Sequence, residues 1–218
     1  VVAGTGGNST HEAIELTVSA AEAGADYSLS VTPYYNKPTQ QGLFEHFQAV
    51  ARSVNLPIIL YNVPGRTGCD LLNDTVVKLS QIDNIVAIKD ATGDVARGAA
   101  LIEAVPDGFA VFSGDDDTAL ELMRRGGQGN VSVTANIAAR DMAAMCHFAL
   151  TGEWEAAAEI DARLSELNDL LFIEANPIPV KWAMAQRGMM EYGIRLPLTP
   201  LSEPCRGDLE RALETYFA

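Results

Sequence analysis

The residue with the clearest chemical potential is Lys89, which lies near the end of the apolar run IVAIKD at residues 85–90. Strand alternation places Ile85, Ala87 and Lys89 on one face and the bulkier Val-Ile pair on the other. If the bulkier face meets helices, Lys89 points into an apolar interior, where desolvation lowers the pKa of its amine. A neutral amine in that position can form an imine with a carbonyl substrate. The alternative is a lysine that extends from the strand end into solvent.

Tyr61 strengthens the catalytic interpretation of Lys89. It lies near the end of the preceding apolar run, Pro57–Asn62. Consecutive parallel strands lie about 4.8 Å apart, so two side chains at equivalent heights can touch. A phenol beside an imine-forming lysine is suited to proton transfer. The alternative is a core tyrosine whose hydroxyl donates to a backbone carbonyl.

Two loops that follow strands carry further candidates for binding. Arg66 follows a Val-Pro-Gly turn, and its guanidinium is suited to hold a substrate carboxylate in a bidentate manner; the alternative is a surface arginine. Tyr34 and Tyr35 are adjacent on the Pro-bounded loop 32–38. Adjacent aromatic residues on a loop favour a subunit contact, so we expect a homo-oligomer.

No metal or nucleotide site is predicted. Residues Asp115 to Asp117 cannot all face one ion, and we interpret them as capping the helix that begins near Thr118. The segment Gly4-Thr5-Gly6-Gly7 lacks the third glycine of a dinucleotide fingerprint, so we interpret it as a turn before a helix capped by Ser9 or Thr10. The three cysteines, Cys69, Cys146 and Cys205, lie far apart in the sequence. The three histidines, His11, His46 and His147, form no i, i+4 pair, so no metal-binding pattern is present.

Short β-branched runs alternate with longer amphipathic stretches along most of the chain, which predicts βαβ units and a parallel sheet. The predicted helices between the strands are His11–Ala23, Gln41–Val54, Thr75–Gln81 and Thr118–Arg125. Six strands are predicted: Val1–Thr5, Tyr27–Thr32, Pro57–Asn62, Ile85–Asp90, Phe109–Ser113 and Asn130–Thr134.

Polar residues at the carboxyl ends of these strands favour a (β/α)8 barrel over an open doubly wound sheet, because barrel enzymes build their sites at that rim. From Ile137 onward the pattern is helical, with helices predicted over 137–150, 153–173, 177–187 and 204–217. We therefore expect a partial barrel over residues 1–150 and a C-terminal helical region over residues 151–218.

Composition excludes several classes of protein. The chain has 218 residues with 15 Lys and Arg against 29 Asp and Glu, a net charge of −14. This charge disfavours nucleic acid and anionic membranes as partners. No apolar stretch approaches the roughly 18 residues that cross a bilayer. The first residues do not resemble a signal peptide, and the odd number of cysteines is typical of a reducing compartment, so we expect a cytoplasmic protein.

Taken together, the motifs closely resemble the dihydrodipicolinate synthase branch of the N-acetylneuraminate lyase superfamily, which are pyruvate-dependent class I aldolases on a (β/α)8 barrel. The resemblance extends over the whole chain. It rests on these segments: Ala3–Gly6, Val31–Pro38, Tyr61–Arg66, Ile88–Gly93, Ser113–Asp116, Ser132–Asn136, Asn176–Lys181 and Arg195–Leu198.

The resemblance implies roles for individual residues. Lys89 would form the Schiff base with pyruvate, Tyr61 would move protons beside it, and Tyr35 would enter the site of a partner subunit. Arg66 would receive the carboxylate of aspartate semialdehyde. Further positions would line the pyruvate pocket (Gly114 and Val131) or a site for feedback by lysine (Asn8, Glu12 and Tyr34). The family implies no cofactor, a place in lysine and diaminopimelate biosynthesis, and a cytoplasmic homotetramer.

The sequence departs from the family in one motif. Gly-Thr-Thr-Gly-Glu, which the family carries on its second strand and uses for the pyruvate carboxylate and a proton relay, does not occur here. We therefore expect a barrel without its first two βα units, with six strands present. Two alternatives stay open: another pyruvate-dependent aldolase of the superfamily, acting on N-acetylneuraminate or a keto-deoxy sugar acid, and a non-catalytic truncated paralogue.

Overall fold

A computed structural model describes residues 1–218, which form two compact units, residues 1–131 and 132–218. The first unit contains one parallel sheet whose five strands lie side by side in chain order. Its strands are β1 (Val2–Gly4), β2 (Tyr27–Val31), β3 (Ile58–Asn62), β4 (Ile85–Asp90) and β5 (Ala110–Ser113). Its helices are α1 (Thr10–Glu22), α2 (Gln40–Ser53), α3 (Pro64–Thr67), α4 (Asn73–Leu79), α5 (Val95–Ala104) and α6 (Ala119–Arg124). The predicted α/β class with a parallel sheet is confirmed.

Three of the helices in this unit begin at a side-chain cap. The Ser9 hydroxyl accepts from the Glu12 backbone N–H and begins α1, as predicted. Thr39 and Asp94 accept in the same way at the starts of α2 and α5. Each cap satisfies a backbone donor that the first helical turn leaves without an intrahelical acceptor.

The two faces of the sheet differ in what covers them. One face packs on the helices and forms a buried apolar core, which includes Leu60, Ile88 and Val111 of the strands and Leu43 and Phe47 of α2. Alternation along the strands then places Tyr61 and Lys89 on the opposite face. The sheet thereby holds its chemically capable residues away from the helix-packed core.

One detail of the predicted alternation is wrong. Ile85 was expected to share a face with Lys89, but it belongs to the helix-side core together with Ile58 and Ile88. A register irregularity between Ile58 and Ile59 opposite β4 is the reason, because it shifts the pairing by one residue at the start of that strand. Beyond it the pairing is regular up to Lys89.

The predicted sixth strand, Asn130–Thr134, does not form, so the expected count of six strands is wrong. Only Asn130 bridges to Ser113. The Ser132 hydroxyl accepts from the Ala135 N–H, and Val133 has helical backbone angles, φ −80° and ψ −44°. This local hydrogen bond competes with strand pairing, and a 3-10 turn, Thr134–Asn136, follows instead.

The second unit contains helices only, besides that turn. They are α7 (Ala139–Thr151), α8 (Trp154–Leu170), α9 (Ile178–Gln186) and α10 (Glu203–Phe217), close to the predicted ranges. Their apolar sides enclose a core of buried side chains that includes Leu167, Leu171, Trp182, Leu209 and Leu213. The division after Val131 lies earlier than the boundary predicted at residue 150, since α7 packs along α8. None of the helices in either unit combines the length and apolar character needed to cross a membrane.

Candidate active site

The structure brings Lys89 and Tyr61 together. They are register partners on β4 and β3, so their side chains leave the sheet on the same face at the same height. The Lys89 Nζ atom lies 4.3 Å from the centroid of the Tyr61 ring. At this distance the ring face attracts the ammonium group.

Burial changes the acidity of both groups. Desolvation lowers the pKa of the Lys89 amine, an effect that the Asp116 carboxylate opposes and the Arg66 charge reinforces. Desolvation likewise raises the pKa of the Tyr61 hydroxyl, with the Arg66 charge acting against it. The lowered pKa increases the neutral fraction of the amine, which is the nucleophilic form. The raised pKa keeps the phenol protonated and able to donate.

A cavity of about 380 Å³ opens beside Tyr61. It is large enough for a small organic acid and has both an aromatic and a cationic side chain in its wall. The lining residues are Gly4, Gly6, Leu29, Val31, Tyr34, Tyr61, Val63, Arg66 and Thr67. Gly6 is required here because a Cβ at this position would come within 2.4 Å of the Val31 backbone nitrogen.

Local hydrogen bonds fix the turn that carries Arg66. Helix α3 begins at Pro64 and ends at Thr67, and Gly68 caps it with a φ of 68°, which suits glycine. The Thr67 hydroxyl donates to the Cys69 carbonyl at 2.8 Å and accepts from the Cys69 N–H at 3.1 Å. These bonds close the turn and hold the backbone that projects Arg66 into the cavity wall.

The loop with the paired tyrosines points Tyr35 outward. Its side chain is 88% exposed, and its backbone has a φ of 73°, which is uncommon for a residue other than glycine. The Tyr35 N–H donates to the Thr67 carbonyl at 3.2 Å, and the Asn36 side chain donates to the Asn8 carbonyl at 2.8 Å. These contacts hold the backbone of the loop, and an exposed aromatic ring on a held backbone is suited to reach a neighbouring molecule.

The remaining residues implied by the resemblance lie in two places. Gly114 follows β5, and its N–H donates to the Asp90 carbonyl at 2.8 Å. The Val131 N–H donates to the Ser113 carbonyl at 2.8 Å, and the Val131 side chain is 38% exposed. Asn8 lies beside the tyrosine loop through Asn36, whereas Glu12 lies exposed in the first turn of α1.

The interpretation of the three consecutive aspartates as helix caps is wrong. Helix α6 has Thr118 as its N-cap and receives no side-chain cap; Asp115 instead accepts from the Thr118 hydroxyl at 2.6 Å. Asp116 is only 3% exposed and accepts from the Asn130 side-chain amide at 2.7 Å. Its charge acts on Lys89. Its place after β5, the strand next to β4, was a signal in the sequence that Asp116 could lie near Lys89. A run of three acids, however, does not reveal which one faces inward.

A polar network around Asn62, the residue after Tyr61, is not predicted by the sequence. The Asn62 side chain donates to Asp70 at 2.9 Å, and Asp70 accepts from both terminal nitrogens of Arg97 at 2.8 and 2.9 Å. No motif links these residues, because they lie on three different segments that only the fold brings together.

Comparisons with known proteins agree with this geometry. A sequence model described as "Dihydrodipicolinate synthetase family" matches residues 1–216. The 4-hydroxy-tetrahydrodipicolinate synthase of Marinobacter nauticus is 59% identical over 215 residues, which are 98% of this chain and 74% of that protein. A crystal structure of the chloride-inhibited dihydrodipicolinate synthase of Acinetobacter baumannii complexed with pyruvate superposes with a TM-score of 0.97 at 57% identity, over 99% of this chain and 74% of that one.

A third relative is the dihydrodipicolinate synthase of Cyanidioschyzon merolae, solved with lysine bound. It superposes with a TM-score of 0.96 at 42% identity, over 100% of this chain and 74% of that chain. Because the family match spans nearly the whole sequence and the identities are high over most of each relative, the chain belongs to the dihydrodipicolinate synthetase family.

Proposed function

We propose that this chain acts as a 4-hydroxy-tetrahydrodipicolinate synthase, a lyase of lysine and diaminopimelate biosynthesis that condenses pyruvate with aspartate semialdehyde. The observation that carries the proposal is the desolvated Lys89 amine 4.3 Å from the Tyr61 ring centroid. That arrangement supplies a nucleophilic amine and a proton carrier at one point. The identity to enzymes of this name supports the same reaction.

The reaction begins with attack of the Lys89 amine on the ketone carbon of pyruvate, and water leaves to give an imine. Loss of a proton from the pyruvate methyl group gives an enamine, whose carbon adds to the aldehyde carbon of aspartate semialdehyde. Ring closure of the product then releases Lys89 as a free amine. In these steps Tyr61 would carry protons to and from the reacting atoms, because its hydroxyl stays protonated at neutral pH.

Substrate recognition follows from the residues around this pair. Arg66 would hold the carboxylate of aspartate semialdehyde, since it lines the cavity beside Tyr61 and its charge acts on both Tyr61 and Lys89. Gly114 leaves room for the Lys89 side chain, and we assign Gly114 and Val131 to the pyruvate pocket by their resemblance to the family.

Assembly belongs to the same proposal. Tyr35 would complete the site of a partner subunit in a homodimer or homotetramer, which its exposed and held position supports. Asn8, Glu12 and Tyr34 would contribute to a lysine site, a role that the lysine-bound relative makes reasonable. We further propose that the five strands are consecutive strands of a (β/α)8 barrel and that the protein is cytoplasmic.

The proposal is tested by mixing the protein with pyruvate and aspartate semialdehyde and following product formation with a coupled reductase. We expect turnover with both substrates present and none when either is omitted. Turnover with N-acetylneuraminate or a keto-deoxy sugar acid, in place of these two substrates, would contradict the assignment. A folded protein inactive with every substrate would favour a non-catalytic relative.

A further inference from the structure

Arg97, on helix α5, forms three hydrogen bonds to the segment that connects β3 with α4 and a fourth to Asn73, the first residue of α4. Its Nη1 and Nη2 donate to the two carboxylate oxygens of Asp70 at 2.8 and 2.9 Å, and Nη2 also donates to the Leu71 carbonyl at 2.7 Å. Its Nε donates to the Asn73 side chain at 3.3 Å. A single guanidinium therefore binds the end of the connecting segment and the start of α4.

Asn62 joins this arrangement from the end of β3. Its side-chain nitrogen donates to Asp70 at 2.9 Å, and its side-chain oxygen accepts from the Leu71 N–H at 3.0 Å. Asn62 is only 1% exposed. Because Asp70 accepts from Arg97 and Asn62 through the same oxygen, a continuous path of hydrogen bonds runs from α5 to the residue that follows Tyr61.

The hydrogen bonds among Arg97, Asp70 and Asn62 join the two ends of the loop that carries Arg66. That loop leaves β3 after Asn62 and returns at Asp70, so both of its ends belong to the network. Its middle is fixed by Thr67, as described above. A loop held at both ends presents its arginine in one position, and shifts of about 1 Å at such a group are costly for substrate binding and turnover.

Charge supports the same interpretation. The Arg97 side chain is 21% exposed and that of Asp70 is 37% exposed, so solvent only partly screens the pair. The hydrogen bonds from Arg97 hold the pKa of Asp70 below its ordinary value. A lysine could not replace this arginine, because one ammonium group cannot reproduce the planar fork that engages both carboxylate oxygens.

We propose that Arg97 is a positioning residue for binding of the second substrate, acting through Asp70 and Asn62 on the loop that carries Arg66. The inference rests on the proposed function, in which Arg66 receives the carboxylate of aspartate semialdehyde. Pyruvate reacts at Lys89, which this network does not touch directly. Arg97 therefore governs the KM for aspartate semialdehyde more than the formation of the pyruvate adduct.

The test compares Arg97→Lys, Asp70→Asn and the unchanged protein in two assays: steady-state kinetics with aspartate semialdehyde varied, and borohydride trapping of the pyruvate adduct. For both variants we expect the KM for aspartate semialdehyde to rise about tenfold or more, while the yield of adduct stays within about twofold. The matched control is Arg163→Lys, because Arg163 donates to Asp141 in the second unit through an analogous arginine–aspartate pair. This control should change neither quantity.

The outcomes separate the two proposals. An unchanged KM in both variants, or an equal loss of adduct and turnover, would overturn the positioning role while leaving the proposed function standing. An unchanged protein that makes no product would overturn the proposed function and this inference with it. If Arg97→Lys does not fold, Asp70→Asn, which keeps the size of the side chain, decides the question.

Discussion

Gly114 lies so close to Lys89 that a Cβ at this position would come within 2.6 Å of the Lys89 Cε atom and 2.8 Å of the Ala91 Cβ atom. The glycine at the end of β5 is therefore part of the space through which the Lys89 side chain runs. This close approach to Lys89 of β4 explains why position 114 is a glycine.

We expect Gly114→Ala to displace Lys89, since Ala91 cannot move aside as a flexible side-chain end can. Formation of the pyruvate adduct should slow about tenfold or more, because small misplacements of a nucleophile are costly. Borohydride trapping over time measures the rate. Gly193→Ala is the control, since a Cβ there meets no atom within 4 Å. Equal rates for the two variants would show that Lys89 is not constrained by Gly114.

The Tyr61→Phe variant should separate the contact of the Tyr61 ring with the Lys89 amine from proton transfer by the Tyr61 hydroxyl. The variant keeps the ring that faces the Lys89 amine and removes only the hydroxyl. We expect kcat to fall about 10²–10⁴-fold, the usual contribution of a general acid or base, with the melting temperature little changed. A kcat within a few-fold of the unchanged protein would exclude Tyr61 as the proton carrier.

Tyr35 provides a test of assembly. Lys89→Ala and Tyr35→Phe proteins should each have little activity alone. When the two are mixed and allowed to exchange subunits, a mixed dimer has one site with both Lys89 and the partner's tyrosine. Activity should therefore recover on mixing. If no activity returns while mass spectrometry of the intact assemblies shows mixed dimers, Tyr35 does not act across the interface.

We expect the folded protein to lose stability in acid because of His46. It is 5% exposed, and burial lowers its pKa from 6.5 to about 4. The unfolded chain binds this proton more readily than the folded one, so the contribution of neutral His46 is complete above pH 6.5 and is lost progressively as the pH falls toward about 4. Between pH 6.5 and 5 the cost is about 2 kcal/mol.

The measurement is urea unfolding at pH 7.5 and pH 5 for the unchanged protein and for His46→Gln. Other groups titrate in both proteins, so their contributions cancel in the comparison. The unchanged protein should lose about 2 kcal/mol more than the variant between the two pH values. Identical losses would place the titration of His46 in the folded state near its ordinary range.

Alternation and strand order were sufficient to predict the central pair. The range of β4, Ile85–Asp90, was predicted exactly as it occurs, and the contact between Lys89 and Tyr61 followed from treating consecutive strands as neighbours. Both inferences depend only on local periodicity and short connections, which can be recognised in the sequence itself.

The errors and omissions come from contacts that periodicity does not record. The Ser132 hydroxyl bond, which competes with the pairing of a sixth strand, is formed by one side chain. The inward orientation of Asp116 among three consecutive acids depends on its partner Asn130. The pairing of Arg97 with Asp70 joins residues on different βα units, and no spacing rule relates them.

The central claim is that Lys89 is an activated amine that forms an imine with pyruvate. Its most direct test is the intact mass of the protein after incubation with pyruvate and borohydride, with Lys89→Ala treated in parallel. We expect one reduced pyruvate-derived group on each chain of the unchanged protein and none on the variant. A folded, unchanged protein that gains no mass, or a variant that gains the same mass, would contradict the account.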